Sequence, residues 1–183
     1  MAETLKANSQ KMRGYVLLIA FGGLPGAGKT TLARLVAREK RAATLRVDVI
    51  EQALRSSGML AGEVGPAGYL VAYALAEANL IQGQVVVADS VNPLGVTRNA
   101  WRRVAAAACQ PIVEVEVICS DRAEHRRRVE TRQADIAGFT LPTWDMVQQH
   151  EYEPWDRPRL MLETAGRSVA STLAELLAQI GGA

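Results

Sequence analysis

Gly23-Leu24-Pro25-Gly26-Ala27-Gly28-Lys29-Thr30 satisfies the pattern G-x-x-x-x-G-K-[ST] without a substitution, and this stretch decides the fold. The run before it, Tyr15-Val16-Leu17-Leu18-Ile19-Ala20-Phe21, is continuously apolar and predicts a buried parallel strand. The run after it, Thr31 to Lys40, predicts a helix. The glycines therefore fall where a strand hands over to a helix, which is the context the pattern needs. Polyphosphate oxygens require several backbone N–H donors at close range, and residues without Cβ let the chain wrap that tightly. The helix adds its free N-terminal amides and the positive end of its dipole. Lys29 is placed to reach the β- and γ-phosphates and the Thr30 hydroxyl to join a Mg²⁺ shell, so a bound nucleoside triphosphate is expected over residues 23–31. Thr31, last of that stretch, has a capping or packing role as its alternative.

The sequence has 183 residues, which fits one domain with a substantial core. Residues 1–13 are polar, without the hydrophobic region of a signal peptide, and are expected to be a disordered tail before a single domain over 14–183. No apolar run approaches the ~20 residues that span a membrane. Hydrophobic residues make up 49% and charged ones 22%, ordinary values for a soluble protein. The formal net charge of +2 gives little reason to expect a nucleic-acid partner. Cys109 and Cys119 have no metal-ligand spacing and read as small core hydrophobes in a reducing cytoplasm.

Strand-like and helical runs alternate along the chain, which argues for α/β layering with five parallel strands and covering helices. Ala43 to Val47 predicts a strand ending at Asp48, followed by a helix from Val49 to Ser56. Gly58 to Pro66 reads as a loop and Ala67 to Gln82 as a long helix. Gln84 to Asp89 is an apolar strand closed by an acid, like a Walker B element, and Val96 to Ala108 is the next helix. Pro111 to Ile118 predicts the fourth strand, Arg122 to Gln133 an arginine-rich helix, Arg159 to Glu163 the fifth strand and Val169 to Ile180 the last helix. Ligands of open parallel sheets bind beyond the carboxyl ends of the strands, where the phosphate loop, Asp48 and Asp89 all fall.

Each acid has a chemical and a structural reading. Asp89 is the candidate to hold a metal-bound water opposite Thr30, with capping of the next turn as its alternative. Asp48 is the candidate base for an acceptor hydroxyl, with a helix N-cap as the competing role. Arg128 and Arg132 lie four apart on one helical face, directly before the Gly- and Pro-containing stretch Ala137 to Pro142, where a lid of about 133–145 would begin. They are the candidates to offset charge on a transferring phosphoryl group, with Arg126 in reserve and a solvated face as the alternative. Arg55 and Arg98 are placed to contact an anionic acceptor. Trp144, Tyr152 and Trp155 read as a packed lid base, and His125 and His150 carry no assigned role.

The motifs Gly-Leu-Pro-Gly-Ala-Gly-Lys-Thr-Thr at 23–31, Arg-Val-Asp at 46–48, Val-Val-Ala-Asp-Ser at 86–90, Arg-Arg-Val-Glu-Thr-Arg at 127–132 and Pro-Thr-Trp at 142–144 together resemble the P-loop small-molecule kinases. The likeness is to gluconate kinase, shikimate kinase and chloramphenicol phosphotransferase, and especially to the AAA-type ATP-binding kinase-like proteins of bacteria. It implies a three-layer P-loop NTPase fold with strand order 2-3-1-4-5 and a small lid. It further implies Mg·ATP as donor and a small hydroxylated molecule held near Asp48 as acceptor. Adenine would rest near Thr164 to Arg167. The chain departs from many relatives at Glu163, where an aspartate is expected, and its segment 55–69 matches none of the named kinases. Two other readings stay open: a nucleotide-binding switch or slow ATPase acting through a partner, and a 5′-hydroxyl polynucleotide kinase. The sequence specifies no oligomeric state.

Overall fold

The computed structural model describes residues 16–59 and 62–181, so the expected tail at 1–13 lies outside the described residues. Five parallel strands form one sheet in the order β2-β3-β1-β4-β5: β1 (Leu18–Gly22), β2 (Ala43–Arg46), β3 (Val86–Asp89), β4 (Ile112–Ile118) and β5 (Leu160–Glu163). Among the described residues, seven helices cover it: α1 (Lys29–Lys40), α2 (Val47–Ser56), α3 (Ala67–Ile81), α4 (Gly95–Ala107), α5 (Arg122–Thr131), α6 (Trp144–Gln148) and α7 (Val169–Gly181). This is the expected order, and it puts β1 at the centre.

Burial on both faces explains why β1 is apolar without interruption. Leu17, Ile19 and Phe21 point to one side and pack with Leu32 and Val36 of α1 and Leu176 and Ile180 of α7. Leu18 and Ala20 point to the other and pack with Ala72, Ala76 and Leu80 of α3 and Trp101 and Val104 of α4. Each large side chain buried this way contributes about 1.5–3 kcal/mol, so the strand that launches the phosphate loop is the most firmly held element of the sheet.

Several boundaries differ from the sequence reading. The first helix begins at Lys29 rather than Thr31, because Gly28 at φ 103° serves as its N-cap and turns the chain directly from loop to helix. β2 ends at Arg46, since its register with β3 stops where Arg46 meets Asp89. Asp48 is therefore the second residue of α2 and not the end of a strand. There its charge favours the positive helix terminus, and the N-cap position is held by Arg46 in an extended conformation, with no side-chain capping bond. The arginine-rich helix stops at Thr131 because Arg132 is already extended, at φ −67° and ψ 148°. The stretch expected as a lid runs into α6, which Thr143 caps by accepting from the Met146 amide.

Candidate active site

The phosphate loop leaves β1 at Gly22 and enters α1 at Lys29, and its shape depends on glycine at two positions. A Cβ on Gly23, at φ 127°, would lie 2.1 Å from the Val117 carbonyl oxygen. A Cβ on Gly26, at φ 86°, would lie 2.5 Å from a Val129 methyl and 3.2 Å from the His125 ring. The loop is thus pressed against β4 on one side and α5 on the other. The His125 ring also holds it directly, with Nε2 2.8 Å from the Pro25 carbonyl oxygen. His125 stacks edge-on against Trp144, with ring centroids 5.3 Å apart. Val129, Trp144 and Val147 close a small apolar cluster against Leu24. Neither histidine had a sequence signal, yet His125 braces the loop; a solitary histidine on a charged helix offers no spacing that reveals this.

Lys29 is buried, and its Nζ donates to the Leu24 carbonyl oxygen at 3.1 Å. Burial pushes its ammonium pKa down, opposed by the Asp89 and Asp48 carboxylates. Asp89, also buried, is pushed up by burial, opposed by Lys29, the Thr30 hydroxyl and Arg46. Thr30, Lys29 and Asp89 therefore converge at the N-terminus of α1, an arrangement that fits triphosphate oxygens together with a hydrated divalent cation. Thr31 is exposed and lines the same cleft.

Arg46 was not singled out by the sequence reading and stands at the centre of the acids. Its Nη2 lies 3.3 Å from Asp48, its Nε 3.7 Å from Asp89 and its Nη1 2.8 Å from Asp135. Arg34 of α1 joins the same Asp135 carboxylate. Asp135 belongs to the stretch after α5, so two arginines tie that stretch to the phosphate end of the cleft. The hydrogen bond from Arg46 is the largest cause holding the Asp135 carboxyl at about 2.

The two candidate arginines of α5 part ways. Arg128 donates to the Thr164 hydroxyl and carbonyl oxygens at 2.9 Å and pairs with Glu124, so its donors are spent on the loop after β5. The same Thr164 hydroxyl is 2.9 Å from the Ala27 carbonyl oxygen, which links that loop to the phosphate loop. Arg132 is half-buried and faces Asp48, Arg46, Asp135 and Lys29; its Nε is buried without a hydrogen-bond partner. Arg126 is exposed and paired with Glu130. Arg55 pairs with Glu51 at the edge of the cleft.

Arg98 does not contact an acceptor. It is almost wholly buried and donates to the carbonyl oxygens of Asn92, Pro93, Glu153 and Pro154, with Tyr152 and Trp155 stacked on its guanidinium. Tyr152 and Trp155 thereby strap the segment after α6 to the turn after β3, a packing role as expected. Glu163, the departure at the end of β5, accepts from the amides of Ser120, Thr164 and Ala165 and so shapes the loop beyond it.

Lys29, Thr30, Asp89, Arg46, Asp48 and Asp135 line one cleft of about 1350 Å³, together with Arg128 and Arg132. Other phosphate-loop residues, Thr164 and Arg167 line it too, as do Glu51, Gln52, Arg55 and Ser56 of α2. Gly138 to Pro142 complete the lining. A family model described as an AAA domain matches residues 18–152, which span the phosphate loop, both acids and α5. The chain belongs to the AAA-domain family.

Among solved structures, this AAA-domain chain is similar to the Mycobacterium tuberculosis APS kinase CysC in complex with AMPPNP and APS. Identity is 22%, coverage 91% of this chain and 98% of that one, and the TM-score 0.66. A gluconokinase from Sinorhizobium meliloti 1021 matches at 16% identity over 92% and 97%, with TM-score 0.60. Chaetomium thermophilum Kti12 in complex with ADP-AlF3 matches at 22% over 91% and 98%, also with TM-score 0.60. The fold is that of the P-loop small-molecule kinases. Among curated proteins, none matches the sequence. No helix among the described residues is long and apolar enough to cross a membrane.

Proposed function

We propose that this chain is a Mg·ATP-dependent kinase that transfers the γ-phosphoryl group to a hydroxyl of a small molecule. The observation that carries the reading is the shared cleft: a complete phosphate loop with Lys29, Thr30 and Asp89, and Asp48 on α2 beside them, joined to Asp89 through Arg46. Bound Mg·ATP supplies the transferable group and a cation that offsets charge on the phosphate oxygens. Lys29 would turn from the Leu24 carbonyl to the β- and γ-oxygens, and Thr30 and Asp89 would hold the cation, Asp89 by way of water. Asp48 takes the proton of the acceptor hydroxyl as that oxygen bonds to the γ-phosphorus and the bond from this phosphorus to the β,γ-bridging oxygen breaks, with ADP leaving. Arg132, with an unpartnered Nε in the same cleft, neutralises charge on the equatorial oxygens. Arg128 sets the adenine-side loop through Thr164 and contributes to catalysis from there. Residues 14–183 act as one domain with 133–145 as its lid, in the cytoplasm.

The test is ADP release in Mg·ATP across sugars, sugar acids, nucleosides, aminoglycosides and other antibiotics, and short oligonucleotides, with Lys29→Ala as the blank. An acceptor-dependent rate abolished by Asp48→Asn, with ATP binding kept, is the expected result. Transfer retained in Asp48→Asn sinks the base assignment. Turnover that ignores every acceptor and the Asp48 substitution favours an ATPase acting through a partner.

A further inference from the structure

Helix α3 has one charged residue, Glu77, in its fifteen positions. A helix that is apolar nearly all round is normally covered on every side. Here Gly68, Ala72, Ala76 and Leu80 are buried against the sheet layer, but the opposite face is open. Leu70 is 61% exposed, Val71 38%, Leu75 43% and Ile81 65%, with Ala74 and Ala78 exposed between them. At 100° per residue these six positions fall on one stripe. Val49 of α2 extends the surface, and beside Leu75 a groove of about 270 Å³ opens at the edge strand β2, walled by Leu45, Val49 and Ile50 and also by Arg34, Arg46 and Asp89.

We propose that this stripe is the contact between two copies of the chain, paired about a two-fold axis with their α3 helices antiparallel. The stripe is self-complementary. An axis midway between Ala74 and Ala78 sets Ala74 of one copy over Ala78 of the other, so the backbones approach closely at the crossing. It sets Val71 over Ile81 at either end, and leaves Leu75 to reach the groove beside β2. Each contact occurs twice, as a two-fold interface requires. The stripe itself holds no charge to select a charged partner; Glu77, at its margin, lies one residue from the axis in each copy, so the two carboxylates flank the axis at the edge of the pairing. Its exposed apolar surface is roughly 500 Å² per copy, so pairing removes on the order of 1,000 Å², the lower limit for a specific interface. The phosphate loop and the cleft lie at the carboxyl ends of the strands, and the groove beside β2 shares Arg34, Arg46 and Asp89 with that cleft.

Sedimentation equilibrium of the full chain at tens of micromolar tests this, with Ala78→Glu and Leu75→Lys as variants and circular dichroism as the control for folding. The wild type is expected to be a dimer, and either variant to weaken association by about 10-fold or more. A second measurement does not depend on weakening: Ala74→Cys with Ala78→Cys, in a Cys109→Ser background, is expected to form an intermolecular disulfide on mild oxidation. A monomeric wild type overturns the proposal, whatever else binds the stripe. So does a dimer that persists in both folded variants and fails to cross-link.

Discussion

Arg46 Nη1 donates to Asp135 at 2.8 Å, across 89 residues of sequence, and so fastens the stretch after α5 to the strand end beside Asp48. The Asp135 carboxyl sits at about 2, chiefly because of that hydrogen bond. A folded value below the ordinary carboxylate one means that the tie is complete above about pH 4 and is lost as pH falls toward 2. Protection of residues 133–142 against hydrogen exchange, relative to the intrinsic rate at each pH, is therefore expected to be constant from neutrality down to mildly acidic pH and to fall below it. Asp135→Asn should give the low protection at every pH. Because Asp135 is more than a third exposed, solvent screening limits the accompanying loss of global stability to about 1 kcal/mol or less.

Asp89 is buried and its pKa is raised, the sign of an ionised group that costs folding energy. Asp89→Asn is expected to raise the thermal midpoint of the ligand-free protein by a few degrees. Under the proposed function it also weakens binding of Mg·ATP while changing metal-free ATP binding little. Calorimetry with and without Mg²⁺ checks both halves, and a variant that melts earlier than the wild type contradicts the first.

Gly26→Ala forces a left-handed backbone on alanine and drives its Cβ into Val129 and His125. A cost of about 2–4 kcal/mol in urea unfolding is expected, from strain and overpacking together. His125→Ala removes the brace on Pro25 without adding bulk, so it should weaken nucleotide affinity more than stability. Equal losses in the two would show that His125 only packs.

Arg98→Met keeps the length of the side chain but leaves the carbonyl oxygens of Asn92, Pro93, Glu153 and Pro154 without their donors. The expected loss is about 3–5 kcal/mol by chemical denaturation. Arg98→Lys should recover little of it, since an ammonium cannot span four oxygens in the guanidinium plane.

Arg132→Ala and Arg128→Ala should separate in kinetics. Loss of Arg132 is expected to lower kcat by about 10²-fold or more with KM for ATP nearly unchanged, as for a group acting on the transferring phosphoryl. Loss of Arg128 should raise KM for ATP and lower the melting temperature, because Thr164 and the loop after β5 lose their anchor. The reverse pattern would exchange the two roles.

The parts of the site that sequence made legible are those fixed by local chemistry. The phosphate loop needs its glycines and lysine at set intervals, and Asp89 closes an apolar run that reads as a buried strand, which places it at the strand's carboxyl end. Asp48 was found by type but placed one element too early, because the end of β2 depends on where its pairing with β3 stops. Arg46 and Asp135 were missed for a related reason: their meaning lies in a contact across 89 residues, and each is an ordinary charged residue in its own neighbourhood. Arg98 was misread for the opposite one. A guanidinium surrounded by carbonyls in the core leaves the same trace in sequence as one waiting for a ligand.

β2 has four residues and sits at the rim of the sheet, and it leads directly into α2, which carries Asp48 and walls the cleft. The loop over β1 is anchored in the middle, between two paired neighbours on either side. Under the proposed function, donor chemistry is thus built on the least yielding part of the molecule and acceptor choice on its most replaceable margin. Substitutions along α2 can change what enters the cleft while the machinery that binds nucleotide stays as it is.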